Sequence, residues 1–159
     1  MRLKHVPIVV FSGCLWFFIG IMLMTKGINA AIQGSLFPSS TVFMPFLTKH
    51  LGDSTQSALS IIVSGLFLGF LKGRFVLSKS AKRVVERLLV IPEPVPIKQV
   101  YSLKYSLIIL GMVGLGMSMR WLSPPLDIKA WVDTIIGSAL MNGSLFYFRF
   151  AFMLQKQKA

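Results

Sequence analysis

One cysteine, two histidines and five acidic residues in 159 are the scarcities that set the class of this chain. A lone Cys14 excludes an internal disulfide and any cysteine-rich metal site. His5 and His50 fall near opposite membrane faces in the topology expected below, so they are not expected to share a metal. The motifs HExxH, G-x-S-x-G and the P-loop are absent, and so is any pair of carboxylates within an apolar run. Charged residues of both signs make up 14% of the chain, against about a quarter in a soluble domain. A disordered tail and a soluble nucleic-acid-binding domain are therefore excluded.

What is abundant is apolar: 54% of residues are hydrophobic, and the mean hydropathy is +0.71. A helix rises about 1.5 Å per residue, so roughly 20 apolar residues cross a hydrocarbon core about 30 Å thick. Four stretches qualify, at 7–25, 54–71, 105–122 and 131–152. The first opens at Pro7 and is expected to stop at Lys26-Gly27. Its apolar run exceeds the h-region of a signal peptide, and the small-residue cue at Ala30-Ala31 is weak. The second follows Asp53-Ser54-Thr55-Gln56, which reads as a capping box. The third ends at Ser123-Pro124-Pro125. The expected architecture is a single all-α membrane domain over 1–159, with four spans.

The 17 Lys and Arg against five acids give a net charge of +12, and their distribution is lopsided. Arg2, Lys4, the connection from Lys72 to Lys104, and Arg149, Lys156 and Lys158 fall on one side. Only Lys26, Lys49, Arg120 and Lys129 fall on the other. Basic residues concentrate on the cytoplasmic side of membrane proteins, so both termini and the second connection are expected there. Since topology already accounts for the charge, it does not indicate nucleic acid.

Two connections carry patterns of their own. Pro45 to Gly52 reads as a short helix on the outer side, opened by proline and stopped by glycine. Phe43, Phe46, Leu47 and Leu51 share one face of it, which suits either an interfacial cover or a plug between spans. Inside, Leu77, Ala81, Val84, Val85 and Leu88 form an apolar stripe flanked by Lys79, Lys82, Arg83 and Arg87. Span two is expected either to extend as a rod to residue 91 or to bend near Gly73. Pro92-Glu93-Pro94-Val95-Pro96 then forces an extended link. A basic amphipathic segment at a membrane attracts anionic head groups by about 1 kcal/mol per cation. Lys79, Lys82, Arg83 and Arg87 are therefore the candidate lipid- or partner-binding residues, with orientation alone as the simpler use of their charge.

Residues 60–75 and 134–149 align without gaps, with identities at Ile61/Ile135, Ile62/Ile136, Ser64/Ser138, Leu66/Leu140, Gly69/Gly143 and Leu71/Leu145. This suggests a tandem hairpin repeat whose copies run in the same direction. Gly65, Gly69 and Gly73 recur every four residues, and Ala139 and Gly143 lie on the matching face of span four. Small residues let membrane helices approach closely, either within the chain or across a homodimer. Ser60 and Ser64 on span two, with Thr134, Ser138 and Asn142 on span four, form a candidate polar track. Asn142 would either make an interhelical hydrogen bond or line a solute path.

Along Phe70-Leu71-Lys72-Gly73-Arg74-Phe75-Val76-Leu77-Ser78-Lys79-Ser80, and again along Ile135-Ile136-Gly137-Ser138-Ala139-Leu140-Met141-Asn142-Gly143, the chain resembles uncharacterised small bacterial inner-membrane proteins with four transmembrane helices. The resemblance implies a bacterial inner-membrane location and no catalytic residue, ligand or cofactor. The functional expectation is a non-enzymatic interaction or assembly component that contacts the lipid bilayer, its anionic head groups, and another membrane protein or a second copy. The alternative is a small oligomeric transporter or channel using the polar face between spans two and four.

Overall fold

The computed structural model describes residues 2–3, 5–79, 82–83, 95–96, 114 and 121–157. Three long helices dominate: α1 (His5–Leu36), α3 (Ser54–Lys72) and α4 (Leu126–Gln157). The short α2 (Met44–Leu51) follows a 3-10 turn at Pro38–Ser40. A π-helical turn, Gly73–Leu77, carries α3 onward without a break. The only strand pairing among the described residues is antiparallel and two residues long, joining β1 (Arg2–Leu3) to β2 (Val95–Pro96). The extended link expected at 92–96 is thus seen at its last two residues. Among the described residues, three helices are long and apolar enough to cross a membrane: Val6–Leu36, Ser54–Leu77 and Leu126–Lys156. The expected third span at 105–122 and the stripe from Val84 to Leu88 lie outside the described residues, apart from single positions.

Helix α1 overruns its expected end by eleven residues, because Lys26-Gly27 is no stop. Gly27 is buried in mid-helix, where a Cβ would lie 2.5 Å from the Thr134 hydroxyl oxygen. Its lack of a side chain serves close packing, and the cost of about 1 kcal/mol that glycine imposes on a helix interior is offset there. Beyond it, Ala30 and Ala31 are buried in the helix instead of forming a loop. Helix α4 likewise begins at Leu126, five residues before Trp131, directly after Pro124-Pro125.

Direction follows from the packing partners. Gly13 of α1 meets Tyr147, Gly20 meets Gly137 and Met141, and Gly27 meets Ala130 and Thr134, so α1 and α4 are antiparallel. On α3, Gly65 meets Thr134, Gly69 meets Ser138 and Gly73 meets Asn142, so α3 and α4 are parallel. Both chain ends therefore lie where α3 runs out, and α2 lies at the opposite end. Two buried clusters close the bundle. Ile8, Val9, Tyr147 and Ala151 sit at the end with the termini, with Trp16 packed against them. Ala30, Ala31, Met44, Ala58, Ile61 and Ala130 sit under α2.

The short helix matches its expected start and stop. Proline occupies its first turn, and Gly52 ends it at φ 81°, donating its N–H to the Thr48 carbonyl at 2.8 Å. Left-handed backbone of this kind favours glycine. The face shared by Phe43, Phe46 and Leu51 is exposed, and Met44 is the residue that plugs the bundle. Burying a methionine in this way contributes about 1.5–3 kcal/mol. Asp53 does occupy the N-cap of α3, but its side chain makes no cap bond. Instead Ser57 donates its hydroxyl to the Asp53 carbonyl at 2.9 Å and lies 3.1 Å from the Thr48 hydroxyl, tying α2 to α3.

Candidate functional site

Two places concentrate polar chemistry: the seam where α3 and α1 meet α4, and the basic end of the bundle. In the seam, every glycine of the α3 series is matched by a polar residue of α4. A Cβ at Gly65 would lie 3.1 Å from Thr134 Cβ, one at Gly69 would lie 2.7 Å from Ser138 Cβ, and one at Gly73 would lie 2.7 Å from Asn142 Cβ. The four-residue periods of the two helices thus run in register. Thr134 is fully buried, with Gly65 on one side and Gly27 on the other, and is the point where three helices converge.

The hydroxyls and the amide of this face are mostly turned inward on their own helices. Thr134 donates to the Ala130 carbonyl at 2.7 Å, and Ser60 donates to Gln56 at 2.9 Å. Asn142 donates its amide N–H to the Ser138 carbonyl, one turn back on its own helix, at 3.0 Å. The interhelical bond expected of Asn142 is instead made by Ser138, whose hydroxyl donates to the Leu66 carbonyl of α3 at 3.2 Å. Gly73 of α3 packs directly on Asn142 Cβ. A second interhelical bond joins the Trp131 indole N–H to the Ser64 hydroxyl at 3.2 Å. Ala139 and Gly143 face the same neighbour: Gly73 packs on the Ala139 backbone, and Gly143 lies against Leu77.

Asp127 belongs to no motif read from the sequence. It is fully buried, and its carboxylate accepts the N–H groups of Val42, Phe43 and Met44, at 2.8 Å for Val42 and 3.2 Å for Met44. These groups open α2, where a helix leaves N–H donors unsatisfied and a negative charge is stabilising. The partners are more than 80 residues apart in sequence, so no local motif announces the bond. Asp133 is also buried, near Lys129 and Lys26.

At the basic end, the π turn and α4 enclose an open cavity of about 510 Å³. Arg74, Lys79 and Lys82 line it from the α3 side and Arg149 from α4. Of the four cations singled out in the sequence, Lys79 and Lys82 line this cavity. Arg83 is exposed but not part of the lining, and Arg87 lies outside the described residues. Arg74 and Arg149 join the site because the parallel register sets the C-terminal half of α4 beside the π turn. Among the described residues, no three His, Cys, Asp or Glu side chains come together. No family model, curated protein or solved structure matches this chain.

Proposed function

We propose that this chain is an integral membrane protein of the bacterial inner membrane, acting without catalysis as an interaction or assembly component through its basic end. The observation that carries this reading is the convergence of Arg74, Lys79, Lys82 and Arg149, drawn from two helices, at the end that also holds both termini. The concentration of cations there favours a cytoplasmic position for that end. Connectivity supports a fourth crossing. Parallel α3 and α4 begin at the same end, so the chain between them must return the length of the bundle, and the apolar run at 105–122 is long enough to do so. The pairing of Arg2–Leu3 with Val95–Pro96 brings the N-terminus beside the second connection, as one cytoplasmic layer requires.

The rival reading is transport along the polar face between α3 and α4. Close contact of Gly65, Gly69 and Gly73 with Thr134, Ser138 and Asn142 occupies the space such a path would need, which favours the interaction reading. The test uses the full chain in zwitterionic nanodiscs, scored for capture of anionic vesicles and for co-purification of a membrane partner. Replacing Lys79, Lys82, Arg83 and Arg87 together by glutamine should abolish at least one of these. Retention of both overturns the reading, and so does solute flux in proteoliposomes that Asn142→Leu removes.

A further inference from the structure

We infer that the basic cavity is a discrete site for one anionic phospholipid, holding the phosphate between Arg74 and Arg149 and an acyl chain against the neighbouring aromatics. This rests on the interaction reading above and names the ligand of its basic end.

The cavity is amphipathic in the way a lipid is. Its cations are Arg74, Lys79, Lys82 and Arg149, and among the described residues no carboxylate lines it. Beside them lie Phe75, Phe146, Phe150 and Met153. On α4, Phe146, Arg149, Phe150 and Met153 fall at i, i+3, i+4 and i+7, the spacing of one helix face. Phe146 is one turn deeper into the span than Arg149, so a chain following the phosphate inward runs past it.

The π turn builds the polar half. In a regular α-helix, residues five apart point about 140° away from each other. Where bonds run from i to i+5, they fall nearly one above the other. Ser78 donates its N–H to the Gly73 carbonyl in this i+5 pattern, and Lys79 is thereby brought to the side of Arg74. Such bulges are frequent at functional sites. Gly73 is the residue that lets the widened turn sit directly on the Ala139 backbone.

Depth decides between a lipid and a free anion. Arg74 is 20 residues from the start of α3, roughly 30 Å or one hydrocarbon thickness. In the register that sets Gly73 against Asn142, Arg149 lies about six residues, roughly 9 Å, nearer the end of the bundle. The long Arg74 side chain therefore has to extend outward to meet a phosphate held at Arg149. Guanidinium groups bind phosphate through paired N–H donors, and Phe75 beside Arg74 and Phe146 one turn inward of Arg149 offer the apolar wall on the membrane side. A soluble phosphate would make no use of that wall.

The experiment is native mass spectrometry of the full chain released from nanodiscs of mixed phosphatidylglycerol and phosphatidylcholine, with inorganic phosphate as a competitor. Wild type should retain one phosphatidylglycerol in preference to phosphatidylcholine, and inorganic phosphate should not displace it. At about fivefold per cation near the surface, the pair Arg74→Gln and Arg149→Gln should weaken retention roughly 25-fold. Lys156→Gln, at the same end but outside the cavity, should change it by no more than about twofold. Equal retention of both lipids overturns the proposal, as does a Lys156→Gln loss equal to that of Arg149→Gln, which would mean a diffuse field. Displacement by phosphate also overturns it, in favour of a free-anion site. If lipid selectivity fails while vesicle capture or the partner persists, only this inference falls and the interaction reading stands.

Discussion

Replacing Gly69 by alanine tests the seam most directly. The added Cβ would lie 2.7 Å from Ser138 Cβ and closer still to the Ile135 carbonyl oxygen. Carbon atoms pack comfortably at about 3.5–4.0 Å, and neither neighbour can swing aside, because one is a Cβ and the other is backbone. The two helices must therefore part by about 1 Å. That separation stretches the Ser138 hydroxyl to Leu66 carbonyl bond, now 3.2 Å, beyond bonding range. Overpacking costs about 1–3 kcal/mol, and a lost interhelical bond adds about 0.6–1.7 kcal/mol. The better helix propensity of alanine returns up to about 1 kcal/mol. Net destabilisation should be about 1–4 kcal/mol, read by titrating the detergent-solubilised protein with SDS and following tryptophan fluorescence. Ser138→Ala separates the terms, since it removes the bond while keeping the Cβ, and should cost less than Gly69→Ala. A Gly69→Ala protein as stable as wild type would refute the close approach of α3 and α4.

Asp127→Ala strips the buried acceptor from the N–H groups of Val42, Phe43 and Met44, besides that of Ile128, each worth about 1–3 kcal/mol when left unsatisfied, so amide hydrogen exchange at Val42, Phe43 and Met44 should accelerate and 37–44 should become protease-sensitive. Unchanged exchange at those amides would contradict the carboxylate's role. Trp131→Phe removes the indole donor to Ser64 and should destabilise by about 0.6 kcal/mol in the same SDS titration, while Ser64→Ala in that background should add nothing further. For the topology, cysteines placed at Lys79 and His50 in a Cys14→Ser chain should react with a membrane-impermeant maleimide from opposite sides of sealed vesicles. Labelling of both from one side would overturn the arrangement of the ends.

The parts of this fold that were legible in the sequence depend on local chemistry. Apolar length marked three of the long helices, and Pro45 with Gly52 marked both ends of α2, because a ring that lacks an N–H and a residue that tolerates positive φ act within one turn. The spacing of Gly65, Gly69 and Gly73 showed a packing face, though its partner became visible only when the parallel register of α3 and α4 set Thr134, Ser138 and Asn142 against it. Helix ends were misread where tertiary contact overrode local propensity. Gly27 looks like a stop until Thr134 is placed against it, and Pro124-Pro125 looks like the end of one span although it also opens the next helix. The Asp127 bond to the start of α2 spans more than 80 residues, and Arg149 reaches the basic cavity only through the register. Neither leaves a trace in any short window of sequence.

The mixed directions of the three long helices also make the bundle an electrical object. Each α-helix carries roughly half a positive charge at its N-terminus and half a negative charge at its C-terminus. Among the described helices, α3 and α4 point the same way, so both turn their positive poles to the end covered by α2. Asp53 at the N-cap of α3 and Asp127 in the first turn of α4 sit at those poles. Arg74, Lys79, Lys82 and Arg149 sit near the negative ones. At both ends, the fixed charges oppose the poles of α3 and α4. The same lopsided charge that orients a membrane protein thus also offsets the field of two helices pointing the same way.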